Sequence, residues 1–358
     1  MGRFFSMLLL AVASSGAQPQ PIAIPAAPRI ASIEFYGHRK VDLKDLQKAL
    51  GLKVGDPLPG SKGEVEDRLN GVGNVVESHI SAVCCEGKGV ILYVGIEERG
   101  ATHFEVRSPP EGPVLLPEEV YTAYTRYLTL LQEAVQKGQA GDNLSEGHSL
   151  IEYAPARALQ LEFIRLAETY LAALRNVLKN SSDEDHRAAA AAILGYANDK
   201  RRVLPDLQAA MKDPASTVRN NAMRALTAFA VLGERDPESG IRVSPTWFIE
   251  MLNSLAWTDR NKSSLALVTL TEKRDPAAME QLRDRALESL AEMARWRNPS
   301  HAFAPFVLLG RAAGAREEEI RSAWTAPDRE PFLAKAYRDA RKLRDEWRRR
   351  NTPGRTTP

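Results

Sequence analysis

Cysteine and histidine are scarce, with two and six respectively in 358 residues. Two cysteines exclude a disulfide framework and any cysteine-rich zinc or iron–sulfur site. The histidines are widely separated, so neither residue type supplies a metal centre. Charge of one sign is also missing: 48 Lys and Arg face 46 Asp and Glu, a net of +2. A chain so nearly neutral is not a general nucleic-acid binder, whose affinity rests on many phosphate contacts. No apolar run approaches the ~20 residues that span a bilayer. Catalytic signatures are lacking as well: there is no HExxH, GxSxG, Walker loop or strand-to-helix GxGxxG. His186 beside Asp185, His148 after Glu146-Gly147, and the Glu97-Glu98 pair that ends a strand are the nearest approaches to chemistry. None has an adjacent nucleophile, and Glu97-Glu98 reads as a solvated edge. No catalytic, cofactor-binding or metal-binding residue is assigned, and no cofactor is expected.

What is present divides by texture, and 358 residues suit two to three domains. Arg3 precedes an apolar run from Phe4 to Ala13, and Ser15-Gly16-Ala17 follows it. This is the order of a secretory signal peptide over 1–17, so export is expected, to a periplasm or to the outside. With the signal cleaved, no transmembrane segment remains. Residues 18–28, with four prolines (QPQPIAIPAAP), form a stiff spacer.

Residues 29–100 read as a small α+β module. RIASIEFYG alternates with a period of two; Asp42 caps a helix carrying Leu43, Leu46 and Leu50, closed by Gly51. A second helix covers about Ser61–Asn70. Two strands, Val75–Cys85 and Val90–Glu97, flank the turn Glu86-Gly87-Lys88-Gly89. The order is β-α-α-β-β. With its glycine-ended first strand (IEFYG), the loop KVGDPL, the segment LNGVGNV and the acidic strand end VILYVGIEE, the module resembles the POTRA domain. That resemblance implies a periplasmic module binding client peptides, often by adding a strand to a sheet edge. POTRA domains usually accompany a membrane barrel or helix; the alternating ten-residue segments of a barrel are not found after residue 100. Adjacent Cys84 and Cys85 point to opposite faces of their strand, so a bond between them would need a distorted ring; the expectation is one buried and one exposed thiol.

A proline-dense stretch (RSPPEGPVLLP) makes 101–117 the inter-module linker. Residues 118–334 read as all-α. Val120, Tyr124, Tyr127, Leu128, Leu131 and Val135 mark one amphipathic helix; a second long one runs from Pro155 to about Lys179. From Asp183 the chain becomes self-similar. Arg187, Ala190 and Leu194 match Arg219, Ala222 and Leu226 at an offset of 32; copies without the arginine follow at Ser263 and His301. Such periods, with two helices each, indicate an α-solenoid. The stretch LPDLQAAMKDPASTVRNNAMRALTAFA is similar to HEAT repeats, clearest over 183–232. The resemblance implies that Asp213 and Arg219 are structural, joined in a ladder between successive repeats. The insertion 233–245 is expected to protrude. Stacked repeats present a broad concave surface for proteins or peptides. Aromatic and arginine anchors carry most interface energy, so Trp247, Trp257, Trp296 and Arg295 are the candidate protein-binding residues.

The tail 335–358 holds nine Lys or Arg against three acids, a basic helix followed by a disordered end. It either caps the solenoid or, through 335–350, meets an anionic surface. The whole reads as a multidomain, mostly α protein: a non-catalytic exported scaffold binding a protein or peptide in envelope assembly. The alternative is an enzyme or enzyme subunit with a site on the concave face or the 233–245 loop.

Overall fold

The structure is a computed structural model and describes residues 28–86 and 89–351. The expected signal peptide, almost all of the spacer, the hairpin tip at 87–88 and the last seven residues lie outside them. The α+β module comprises β1 (Ile30–Tyr36), α1 (Leu43–Leu50), α2 (Lys62–Asn70), β2 (Val75–Glu86) and β3 (Gly89–Glu98). Asp42 caps α1 by accepting from Lys44 N, and Gly51 ends it at φ 65°, a left-handed turn that glycine adopts without strain. Ser61 caps α2 through Glu64 N. The sheet order is β1-β3-β2, with β1 parallel and β2 antiparallel to the central strand. Helices α1 and α2 cover one face, closing a core of Ile30, Leu46, Leu50, Val65, Leu69, Leu92 and Val94.

Central β3 is apolar on both sides, and the reason lies across the molecule. Its other face, with Tyr36 of β1, packs into the core of the helical region, so Ile91 and Tyr93 are buried there while Leu92 and Val94 face α1 and α2. A strand buried on both faces reads as a continuous hydrophobic run, as VILYV does.

The helical region starts with α3 (Glu118–Gln136) and α4 (Ala154–Thr169), joined through a small hairpin of two-residue strands, β4 (Asp142–Asn143) with β5 (Leu150–Ile151). Four helix pairs follow: α5 (Leu171–Asn180) with α6 (Glu184–Leu194), α7 (Lys200–Ala210) with α8 (Ser216–Arg235), α9 (Thr246–Met251) with α10 (Trp257–Leu270), and α11 (Pro276–Met293) with α12 (Pro299–Ala312). Second helices stack α6–α8–α10–α12, giving a repeat-like two-layer arrangement. The single helix expected from Pro155 to Lys179 is broken at Tyr170, whose hydroxyl donates to Glu119 of α3 at 2.6 Å. The break lets α4 follow α3 while α5 pairs with α6. Short α13 (Glu317–Trp324) and long α14 (Glu330–Asn351) close the end. Leu333, Ala336 and Ala340 of α14 are buried, and Arg344 and Arg348 pair with Glu288 and Asp284 of α11. The basic helix therefore caps the stack, and its chain begins at 330, ahead of the expected 335.

Other expectations are corrected. Cys84 is disulfide-bonded and is not a free thiol. Glu98 is only 2% exposed and accepts from the backbone N–H groups of Arg39, Lys40 and Val41 at 2.7–2.9 Å. Burial works against its ionised form, but those three hydrogen bonds outweigh it and hold the carboxyl below the ordinary range. The folded pKa thus lies under the unfolded one. The stabilisation is complete above the usual Glu range and is lost as pH falls through the folded value. Glu98→Gln is expected to cost about 1–3 kcal/mol at pH 7 and to flatten the melting temperature between pH 5 and 3. The 233–245 segment folds back rather than protruding: Val243 is buried, Ile241 packs on the core, and a side chain at Gly233 would lie 2.5 Å from Ile241 O.

Candidate protein-binding surfaces

One edge of the helical stack consists of the turns inside the four pairs, and it is lined by a charge ladder. Asp213 in the α7–α8 turn is fully buried and accepts two bonds from Arg187, Nε and Nη2, each at 2.9 Å. Arg219 pairs with Asp259 of α10 at 2.8–2.9 Å. Each arginine also donates to the carbonyl six residues earlier: Arg187 to Ser181, Arg219 to Asp213, Arg260 to Ser254. That shared contact sets the register. The third arginine is Arg260, 41 residues after Arg219, so the expected alignment at Ser263 is three residues out. Arg260 takes Glu292 as its partner at 3.4 Å and lies over the Tyr36 ring at 4.5 Å.

The chain's own N-terminal part covers this edge, meeting the turns in reverse order. Gly112 exchanges backbone bonds with Asn180 and Ser182 in the first turn. Arg107 N donates to Lys212 O at 2.7 Å, and its guanidinium adds a 2.6 Å bond to Asp213. At the third turn the Tyr36 hydroxyl donates to Leu255 O at 2.7 Å. At the fourth, Arg297 N donates to Glu34, and Glu292 accepts from Gly37 N and pairs with Arg39. Residues 101–117 are thus strapped along the stack. The sequence pointed to Asp213 and Arg219; it missed Arg107, Asp259 and Glu292, whose partners lie dozens to hundreds of residues away.

Trp257 and Trp296 stand inside this contact. Tyr93 stacks on Trp257 at 5.2 Å and tilts against Trp296 at 5.0 Å, while its hydroxyl meets His301 Nδ1 at 2.7 Å. Trp247 lies beneath Lys212 at 4.9 Å, and Arg295 pairs with Glu330 of α14 at 2.7 Å. Trp257 and Trp296 sit together; Trp247 and Arg295 stand apart from them. His186 stacks on Tyr121 at 4.1 Å and accepts from Leu116 N.

The second-helix layer presents the more open surface. Asn221 and Arg224 of α8 and Lys262 and Leu265 of α10 are half-buried or exposed there. Beside them a cleft is lined by Tyr124, Tyr127, Leu128 and Leu131 of α3, Phe163 of α4 and Tyr196. Tyr124 OH accepts from Asn221 Nδ2 at 3.0 Å; Arg224 donates to Ser149 and pairs with Asp142 at 2.5 Å. A crevice between the 146–148 loop and Ile241 carries Lys200, whose amine donates to Gly195 O and lies 5.2 Å from the Phe229 ring centre. Burial pushes this amine down to about 8 against the opposing pull of Glu168. Its stabilising balance is therefore complete above the unfolded value near 10.5 and is lost as pH falls through about 8. The unfolding free energy from chemical denaturation is expected to rise from pH 8 to 9.5 by roughly 1–2 kcal/mol, and Lys200→Met is expected to remove the rise.

At the sheet, β2 is an edge strand. Ile80 N is taken by Glu66 Oε1 of α2 at 2.7 Å, so the side chain blocks strand addition at this point. Ala82 and Cys84 face the same direction further along.

Residues 171–240 match the family of HEAT repeats, over α5 to the turn after α8. HEAT repeats generally mediate protein–protein interaction. No curated protein matches the chain. Among solved structures it is similar to a crystal structure of an engineered protein from the Northeast Structural Genomics Consortium, with 14% identity and a TM-score of 0.34. That match covers 64% of this chain and 98% of the other. Among the described residues no helix is long and apolar enough to cross a membrane, and no three His, Cys, Asp or Glu side chains converge to hold a metal.

Proposed function

We propose that this chain is an exported scaffold that holds a protein partner on the second-helix layer, between α3 and α10, in envelope assembly. The observation that carries the reading is an asymmetry of coverage. The turn edge, where Trp257 and Trp296 lie, is occupied by the chain's own sheet and strap. Between α3 and α8 the layer keeps an apolar cleft with Asn221 and Arg224 at its rim. The signal-like start supports export, to a periplasm first. A β1-β3-β2 order with both helices on one face supports a POTRA-like module. The outward cations Arg338, Lys342 and Arg349 of α14 supply a secondary contact with an anionic surface.

Photocrosslinking amino acids at Leu128, Leu265 and Ala209 test this in cells. Ala209 is exposed on first-layer α7. A discrete adduct from Leu128 and Leu265 but not Ala209, on a chain whose N-terminus is Gln18, is expected. Equal adducts at all three positions, or an uncleaved chain retained inside the cell, contradict it.

A further inference from the structure

We propose that the cleft beside α3 receives an extended peptide segment bearing an apolar side chain close to a carboxylate, the first entering between Leu128 and Tyr196 and the second meeting Lys262 and Arg224. The inference rests on the scaffold reading and gives its partner a chemistry.

The apolar half comes from α3. Tyr124, Leu128, Leu131 and Val135 fall at i, i+4, i+7 and i+11, one stripe along the helix. Its first member is buried, but Leu128 is 43% and Val135 58% exposed, so the stripe runs out from the core uncovered. Tyr127, Phe163 and Tyr196 stand edge-to-face behind it at 5.4–5.5 Å. The remaining lining is small: Ala192, Gly195 and Ala225. At Gly195 a side-chain carbon would lie 2.8 Å from Ala225 Cβ, so α6 and α8 approach too closely for the hollow to be filled from below. The chain builds a recess it does not fill with its own side chains.

The polar half comes from α8 and α10. Arg224 spends one nitrogen on Ser149 and another on Asp142. Lys262, on the neighbouring helix, makes no ion pair among the described residues. Burial pushes its amine down, and Arg224 adds to this while Asp142 opposes it. Asp142 is paired with Arg224, and α10, which carries Lys262, packs against α8 beside that pair. A half-buried cation lacking its own counter-ion is costly, and an incoming carboxylate offsets that cost. Aromatic walls with a cationic rim select an apolar residue flanked by Asp or Glu.

The test is to pan a random-peptide phage library on the full chain, then measure the leading synthetic peptide by fluorescence anisotropy. Enriched sequences are expected to pair an apolar residue with Asp or Glu. Lys262→Glu and Leu128→Asp should each weaken binding about tenfold or more, and Lys262→Arg should retain it. Leu128 is exposed and Lys262 half-buried, so circular dichroism with a melting temperature checks that both variants fold. Enriched peptides without an acidic residue, or peptides indifferent to both substitutions, overturn the proposal and leave the scaffold reading standing. Failure to enrich any peptide also overturns it; adducts from Leu128 and Leu265 then decide whether a folded partner uses the surface instead.

Discussion

Asp213→Ala is expected to destabilise the chain by about 3–5 kcal/mol, the cost of breaking a buried ion pair from one side. Three groups lose their acceptor together: the buried guanidinium of Arg187, Arg107 from the strap, and Ala215 N at the start of α8. Burial disfavours the Asp213 carboxylate, yet Arg187 and Arg107 outweigh it and hold its pKa below the usual value. The loss should therefore be full at neutral pH and shrink as acid protonates the wild-type group. At roughly 2–4 °C per kcal/mol, the melting temperature should fall by about 6–20 °C in scanning calorimetry. Arg107→Ala should cost less, about 1–2 kcal/mol, because its side chain is 30% exposed and water replaces part of the contact. It should also expose residues 101–117 to protease. A loss below about 1 kcal/mol for Asp213→Ala would show that the ladder is not a structural element.

Gly95→Val should separate the α+β module from the helical stack while leaving each folded. A side-chain carbon at Gly95 would lie 2.5 Å from Leu255 O and 2.7 Å from the Tyr36 hydroxyl, and the first of these is backbone. The module keeps its own core between sheet and helices, so the strain should fall on the docking contact. Trp296→Ala approaches the same contact from the other side. Its indole is 3% exposed and touches both Tyr36 and Tyr93, so truncation should cost about 3–5 kcal/mol. Both variants should turn one calorimetric transition into two.

Local physics was legible in the sequence and long-range contact was not. The caps Asp42 and Gly51, the β-α-α-β-β order and the 32-residue offset depend on neighbours within a few turns, and each holds. The partner of Arg107 lies 106 residues away, and that of Gly37 lies 255 residues away. No spacing rule reaches so far. Glu98 read as a solvated strand end because its three donors belong to the β1–α1 turn, which reaches the end of β3 only once β1 has paired alongside it. One signal was present and bore more meaning than its strand assignment. The unbroken apolar run of β3 already implied burial on both faces, hence a second layer beyond α1 and α2. The cleft was half-written: the α3 stripe was visible, but only folding shows that Leu128 and Val135 are left uncovered.

The central claim is that the α+β module and the helical repeats form one body, joined face to edge through Tyr36, Tyr93, Trp257 and Trp296. Spin labels on Lys44→Cys in α1 and Lys273→Cys after α10, with Cys84 and Cys85 replaced by serine, measure this directly by pulsed dipolar spectroscopy; both positions are exposed. A single narrow distance distribution, broadened by Gly95→Val, is predicted. A distribution already broad in the parent chain and unchanged by Gly95→Val would contradict the account.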